Sequence, residues 1–318
     1  MLTNLQDSPS QELNERGRRR VRLLEIVAKG LPPFPHTVLE LTAILSGPAA
    51  DVKKAARLIR TDAALSAQLL RMCSSPVFGL RSRVVSIDQA AMLLGADRLR
   101  TLVLTTSMMD MAGGGLPREQ ATPFWQHSFL AALLSEHLSK RTGYSESEQA
   151  YIAGLLHDIG QVPHWMLVCE ERAQKRGRPP ENWFDNPPAE RDFFGLDHCQ
   201  LGSRMATIWN FMPSFIDVLA HHHDCDQAEH DPFLTRIVAA VEHFLLTKVP
   251  DKPSDSEAPE LSGDQPASEM QAAQPAAGTS QPYDDSEWRD LQVDLEAEYN
   301  RLLPVVQGGL IGVVAGAS

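Results

Sequence analysis

The stretch YIAGLLHDIGQV at residues 151–162 decides the fold of this chain. Its apolar run, Ile152-Ala153-Gly154-Leu155-Leu156, leads straight into a histidine and an aspartate, His157-Asp158. A carboxylate at the end of so apolar a run is costly to bury unless it is paired or coordinated. Imidazole nitrogen beside carboxylate oxygen is also a donor set that divalent cations take, and adjacent residues near a helix end can turn to one ion. The pair on its own is explained equally well by Asp158 capping a neighbouring helix or hydrogen-bonding His127.

Further residues of the same kind lie to either side. His127, in FWQHSF, shares an i, i+3, i+7 face with Leu130 and Leu134, on a helix that extends to about Lys140. That face turns it inward, where a lone histidine is more often a satisfied core residue than a ligand. Downstream come His198, in GLDHCQLG, and His221-His222-His223-Asp224, in LAHHHD. The triple histidine also suits a solvated helix end, where donors meet free carbonyls. Cys199 reads as a core cysteine, since no oxyanion arrangement accompanies it. Only the combined spacing lifts a metal or polar centre above these separate explanations.

The rest of the chain carries helical punctuation. Val21, Leu24, Ile26 and Val27 predict an opening amphipathic helix, stopped by Gly30 and by Pro32, Pro33 and Pro35. Helices follow over 37–45, before Gly47-Pro48, and over 49–60 and 62–73. Ser86 and Gln89 form a capping-box pattern ahead of the stripe Ile87, Ala90, Ala91 and Leu94; Gly95 interrupts it, and 99–109 resumes. Gly113-Gly114-Gly115 is a flexible joint, with no GK[ST] to make it a phosphate loop. Pro123 is expected in a first helical turn, and Ser145 with Glu148 as a second capping box. Further helices are expected over 199–209, 214–222 and 232–246. No alternating pattern predicts a sheet, so the class is all-α.

The segments follow from this punctuation. Residues 1–20 are an N-terminal extension, 21–115 an N-terminal helical subdomain and 116–249 the histidine-bearing bundle. Residues 250–285 are a Pro/Ser/Ala-rich linker, too polar over 250–282 to repay the entropy of ordering. Residues 286–318 hold a C-terminal helix, with Trp288, Leu291, Leu295 and Tyr299 along one side, and a glycine-rich apolar tail that either docks or frays.

The net charge of −12 over 318 residues disfavours nucleic acid and acidic lipid as partners. Arg18-Arg19-Arg20 is read as a solvated helix face. The four cysteines form no CxxC pair, residues 1–15 hold no signal-peptide core, and no apolar run is long enough to span a bilayer. These features predict a cytoplasmic protein with reduced thiols and no membrane partner.

LPPFPHTVLEL at 31–41, LIRTDAALSAQLLRMCSSPVFGL at 58–80, VSIDQAAMLLGADRLRTLVL at 85–104, FWQHSFLAALLSEHLSK at 124–140, YIAGLLHDIGQV at 151–162 and the HHHD segment follow one another in a specific order. In that order they resemble the HDOD group, the HD-related output domains of bacterial signalling proteins within the HD phosphohydrolase superfamily. The resemblance covers about two-thirds of the chain and implies an HD-like helical bundle packed with the N-terminal subdomain. In the superfamily a first metal is held by one histidine, the HD pair and a later aspartate. Position by position these match His127, His157, Asp158 and Glu242, where Val241-Glu242 stands in place of an Ala-Asp pair. The extra methylene of glutamate displaces its carboxylate by about a bond length, which metal distances tolerate poorly.

Relatives that cleave cyclic dinucleotides add a second metal on further histidines, matched by His198 and by His221 or His222, of which His222 is the candidate. They also carry a Gly-Tyr-Pro motif that residues 225–233 lack. Most members of the group have no assigned catalysis. The resemblance therefore implies a signal-transduction module working through contacts with other signalling proteins, without catalysis and with a homodimer left open. The alternative is a metal-dependent phosphohydrolase acting on a nucleotide or another phosphoester, with a divalent ion such as Fe or Mn activating water. The sequence leaves the choice between enzyme and regulator open.

Overall fold

Thirteen α-helices and no strand occur among the described residues of a computed structural model, which are 9–30, 36–45, 49–73, 84–113, 116, 118–180, 183–248 and 283–314. In chain order the helices are α1 (Pro9–Glu25), running on into a π-helical turn at Ile26–Gly30, α2 (His36–Ile44), α3 (Val52–Ile59), α4 (Ala63–Cys73), α5 (Ile87–Gly113), α6 (Arg118–Thr142) and α7 (Ser147–Leu156). They continue as α8 (Gln161–Ala173), α9 (Pro187–Phe194), α10 (His198–Ile208), α11 (Pro213–His221), α12 (Pro232–Leu246) and α13 (Asp285–Val314). An N-terminal helical subdomain packs against a larger helical core, as the all-α reading expects.

The centre of the core is α7. Every residue from Ala150 to Leu156 is buried, because α5, α6, α11 and α12 all pack around it. Full burial of side chains such as Ile152, Leu155 and Leu156 stabilises by about 1.5–3 kcal/mol each. The α6–α7 contact is backbone-close: a Cβ at Gly154 would lie 2.6 Å from the Ala131 carbonyl oxygen. Glycine is therefore what lets the helix bearing His157 seat against the helix bearing His127. On the far side, α12 buries Leu234, Ile237, Val238, Val241 and Phe244. Its start is fixed by Asp231, which caps the Leu234 N–H at 2.9 Å and accepts from the Tyr144 hydroxyl at 2.7 Å.

Several local expectations are corrected. Helix α1 begins at Pro9, well ahead of the apolar stripe from Val21 that predicts it. Arg19 is buried rather than solvated, because α1 packs on α8 and α9: its guanidinium donates to Glu171 at 3.0 Å and lies 3.8 Å over the Phe193 ring. Pro123 sits inside α6, beyond the first turn. The helix tolerates the lost N–H because Phe124, Trp125 and Phe129 anchor it in the core. Glu148 does not close a capping box; its carboxylate accepts from Arg100 Nε and Thr101 Oγ1 at 3.0 Å, tying α7 to α5. Ser86 does cap the Gln89 N–H, but the Gln89 side chain accepts from Val85 rather than from Ser86.

Gly95 adopts φ +73° and kinks α5, where the sequence places the interruption. α13 runs past Leu303 to Val314, packs on α6 and buries Leu295, Leu302 and Val306. α8 and α9 have no counterpart among the expected helices. The stops at Pro32, Pro33, Pro35 and Gly47-Pro48, the glycines 114–115 and the linker at 250–282 lie outside the described residues. No helix among the described residues is long and apolar enough to cross a membrane.

Candidate metal centre

His127 on α6, His157 and Asp158 at the end of α7, and Glu242 on α12 converge in the core. His127 Nε2 lies 3.1 Å from His157 Nε2, and Glu242 Oε2 lies 3.1 Å from both. Asp158 Oδ2 is 3.6 Å from His127 Nε2 and 3.5 Å from His157 Nε2. One hydrogen bond joins two atoms; it does not bring four nitrogen and oxygen donors together. Donors about 2.0–2.1 Å from a shared ion stand about 2.8–3.4 Å apart at octahedral to tetrahedral angles, close to the separations of His127 and His157 from each other, from Glu242 and from Asp158. The Glu242 carboxylate thus takes its place beside the HD pair despite the added methylene.

A second group faces the other oxygen of Asp158. His198 Nε2 and His222 Nε2 stand 3.4 and 3.6 Å from Asp158 Oδ1, and 3.2 Å from each other. His223 Nε2 is 3.1 Å from His198 Nε2 and 3.3 Å from Asp185 Oδ1. Of the three adjacent histidines, the second and third reach the centre, where α11 has ended and the chain turns. Cys199 Sγ also lies in this group, 3.5 Å from His198 Nε2.

The outer ring nitrogens fix the direction of the inner ones. His157 Nδ1 donates to the Gly154 carbonyl at 2.7 Å, His222 Nδ1 to the Val218 carbonyl at 3.0 Å, and His198 Nδ1 to the Glu190 carboxylate at 2.8 Å. With Nδ1 as the donor, the neutral ring presents its Nε2 lone pair to the cluster, the tautomer a metal ligand needs. Glu190 is held in turn by Gln161 Nε2 at 2.9 Å and by the His198 backbone N–H at 2.7 Å. Asp158 Oδ1, Asp185 Oδ1 and Glu242 Oε1 are buried without a hydrogen-bond partner. Such orphaned acceptors, beside convergent lone pairs, fit a cation between them.

Electrostatics point the same way. Burial lowers His127, but the charge and hydrogen bond of Glu242 outweigh it and hold the imidazole up at about 9. His222 is likewise lowered by burial and then held up at about 9 by Cys199 and Asp158. Burial raises Glu242, yet His127 and His157 bring it well below the usual carboxylate range. Asp185 goes the other way, pushed up by burial and by the charges of Glu242 and Asp158. In the ion-free protein, protons compensate a concentration of negative charge that divalent cations would compensate more directly.

Asp185, Glu190, Cys199 and His223 are the residues of this site that sequence reasoning missed or set aside. His223 was visible in the HHHD run. Asn186-Pro187 was also legible as a helix start, and Asn186 does cap the Ala189 N–H at 3.2 Å. Nothing in the sequence marks Asp185 itself, which reaches the centre through a left-handed backbone at φ +49°.

The HDOD domain family profile matches residues 31–225. Curated relatives from Treponema pallidum and Bacillus subtilis are 24% and 26% identical, aligning over 66% and 41% of this chain but only 41% and 31% of their own lengths. An HDOD domain protein of unknown function from Geobacter sulfurreducens superposes with a TM-score of 0.67 at 19% identity, covering 93% of this chain and 99% of that one. A candidate signal transduction protein from Marinobacter aquaeolei gives 0.64 at 18% identity, covering 95% and 66%. A candidate phosphohydrolase from Shewanella amazonensis gives 0.58 at 21%, covering 91% and 97%. At these identities the likeness is one of fold.

Proposed function

Because this chain belongs to the HDOD family, we propose that it is a signal-transduction module acting through contacts with other signalling proteins, with a buried metal centre that organises its helical core. In this reading His127, His157, Asp158 and Glu242 hold one divalent ion, such as Fe or Mn, and His198 and His222, joined by His223, hold a second. Asp158 stands between the two, with Oδ2 toward the first ion and Oδ1 toward the histidines of the second. The observation that carries the reading is burial. The side chains of His157, Asp158, His198 and Glu242 are at most 2% exposed, and His127 offers a limited opening at 21%. A centre so enclosed is suited to holding α6, α7, α10 and α12 in one arrangement, which sets the surface a partner meets.

A second reading, metal-dependent hydrolysis of a nucleotide or other phosphoester, is favoured by one observation: Glu242 Oε2 reaches 3.1 Å from both His127 and His157. A bound divalent ion would supply Lewis acidity toward phosphorus. The chain would hold the donors, keep bulk water from the buried carboxylates and leave the His127 side as the approach.

Elemental analysis of the purified chain beside His157→Ala, with a hydrolysis panel of nucleotides and phosphoesters under metal-replete conditions, separates the two. The regulatory reading expects bound divalent metal, its reduction in His157→Ala, and no turnover above the blank. Robust metal-dependent turnover that Asp158→Ala abolishes would overturn it in favour of the hydrolase.

A further inference from the structure

The second donor group differs in kind from the first. The first offers two imidazoles and two carboxylates, the harder set. The second brings three imidazoles together with a sulfur: Cys199 Sγ is 3.5 Å from His198 Nε2 and 4.0 Å from His222 Nε2. His198, Cys199, His222 and His223 each place a donor atom within 4.8 Å of the others. For a tetrahedral ion with sulfur at about 2.3 Å and nitrogen at about 2.0–2.1 Å, sulfur and nitrogen stand about 3.6 Å apart, which lies within the observed pair of distances.

We propose that Cys199 is a thiolate ligand, and that His198, Cys199, His222 and His223 form a soft site taking zinc or a similarly borderline-soft divalent cation. The proposal rests on the metal reading above and specifies the chemistry of its second half. Two further observations point to a ligand there. Asp158 Oδ1, 3.4 and 3.6 Å from the Nε2 atoms of His198 and His222, and Asp185 Oδ1, 3.3 Å from His223 Nε2, are buried with no hydrogen-bond partner. His198 is oriented by the Glu190 carboxylate on its other nitrogen, an arrangement that fixes the tautomer and raises the basicity of a zinc ligand. Thiolate selects zinc over magnesium or manganese by softness, so the two halves of the centre sort different metals. Loading exchanges the thiol proton for the metal: the S–H bond breaks, the proton leaves to solvent, and the sulfur lone pair forms the bond to the ion.

The full chain, stripped by chelator and reloaded with cobalt(II) alone, tests this through absorption. The wild type is expected to show a sulfur-to-cobalt charge-transfer band in the near ultraviolet. Cys199→Ser should lose it, while Glu242→Gln, altered in the first cluster, should keep it. Zinc affinity should fall at least about tenfold in Cys199→Ser, the smallest loss that even outer ligand partners produce. Should that variant misfold, X-ray absorption of the wild type with one equivalent of zinc should still show a sulfur scatterer at about 2.3 Å. Cobalt uptake without the band, or a zinc spectrum of nitrogen and oxygen alone, overturns the Cys199 assignment and leaves the metal reading standing. No uptake of either ion overturns both.

Discussion

Gly160→Ala places one methyl group at the tightest point of the site. Gly160 joins α7 to α8 at φ −65°, ψ −13°, a conformation alanine adopts freely. On backbone grounds the change would stabilise by about 0.4–1 kcal/mol, through the unfolded chain. The added Cβ, however, would lie 1.9 Å from the His198 carbonyl oxygen and 2.7 Å from the Gly202 nitrogen. Both are backbone atoms of α10, with no flexible end to swing aside. Restoring ordinary contact means moving the two segments apart by roughly 1.5 Å. Overpacking of this kind costs about 1–3 kcal/mol, so the steric loss wins and a net cost of about 1.3 kcal/mol remains. At about 2–4 °C per kcal/mol, the melting temperature should fall by about 3–5 °C. The same retreat carries His198 away from Asp158, two residues before Gly160, by far more than the ~0.2 Å that metal distances allow. Calorimetry with elemental analysis should find lower stability and reduced metal in the second cluster. The control is Gly17→Ala on α1, whose Cβ meets nothing within 4 Å and should not destabilise. A Gly160→Ala protein with wild-type melting and full metal would refute the reasoning.

Other perturbations separate the remaining parts. Asp158→Asn should lower bound metal in both clusters and Glu242→Gln in the first alone, so identical losses by elemental analysis would deny Asp158 its shared place. Arg19→Ala strands the buried Glu171 carboxylate and removes the cation over Phe193; about 3–5 kcal/mol of stability should go, read by denaturant unfolding, whereas a loss under about 1 kcal/mol would mean the pair behaves as if solvated. His127 and His222 are raised from 6.5 to about 9 in the ion-free fold, so they bind protons more tightly folded than unfolded. Their contribution is full below pH 6.5 and is lost as pH rises through about 9. Chelated protein should therefore melt progressively lower across that window. Metal-loaded protein should not follow it, since ions compete with those protons.

The core was legible where apolar spacing is regular. The 151–156 run could only be interior, and α7 is wholly buried there. Helix starts were harder. Ser145 and Glu148 have capping-box spacing, but Arg100, distant in sequence, claims the glutamate, while the complete box forms at Asp197 and Gln200. α8 escaped notice because Pro163, His164 and Trp165 break a simple apolar stripe, although all three are buried against neighbouring elements. In the site, His127, His157 and Asp158 were readable from order and context. One methylene changes where the Glu242 carboxylate ends, but the placement of α12 decides what it meets, and here it ends 3.1 Å from His127 and His157. Cys199 is buried, as the sequence suggests, but a thiol's neighbours show only once α10 and α11 are set side by side.

The donors of the first cluster span more than a hundred residues from first to last, on α6, at the end of α7 and on α12. No short piece of the chain can assemble them, so an ion captured there registers a finished fold and acts as a clasp on it. Slow loop closure must precede capture, and release requires the three helices to part together. The binding free energy would then appear as protection of the slowest-exchanging core amides, with fraying ends left untouched.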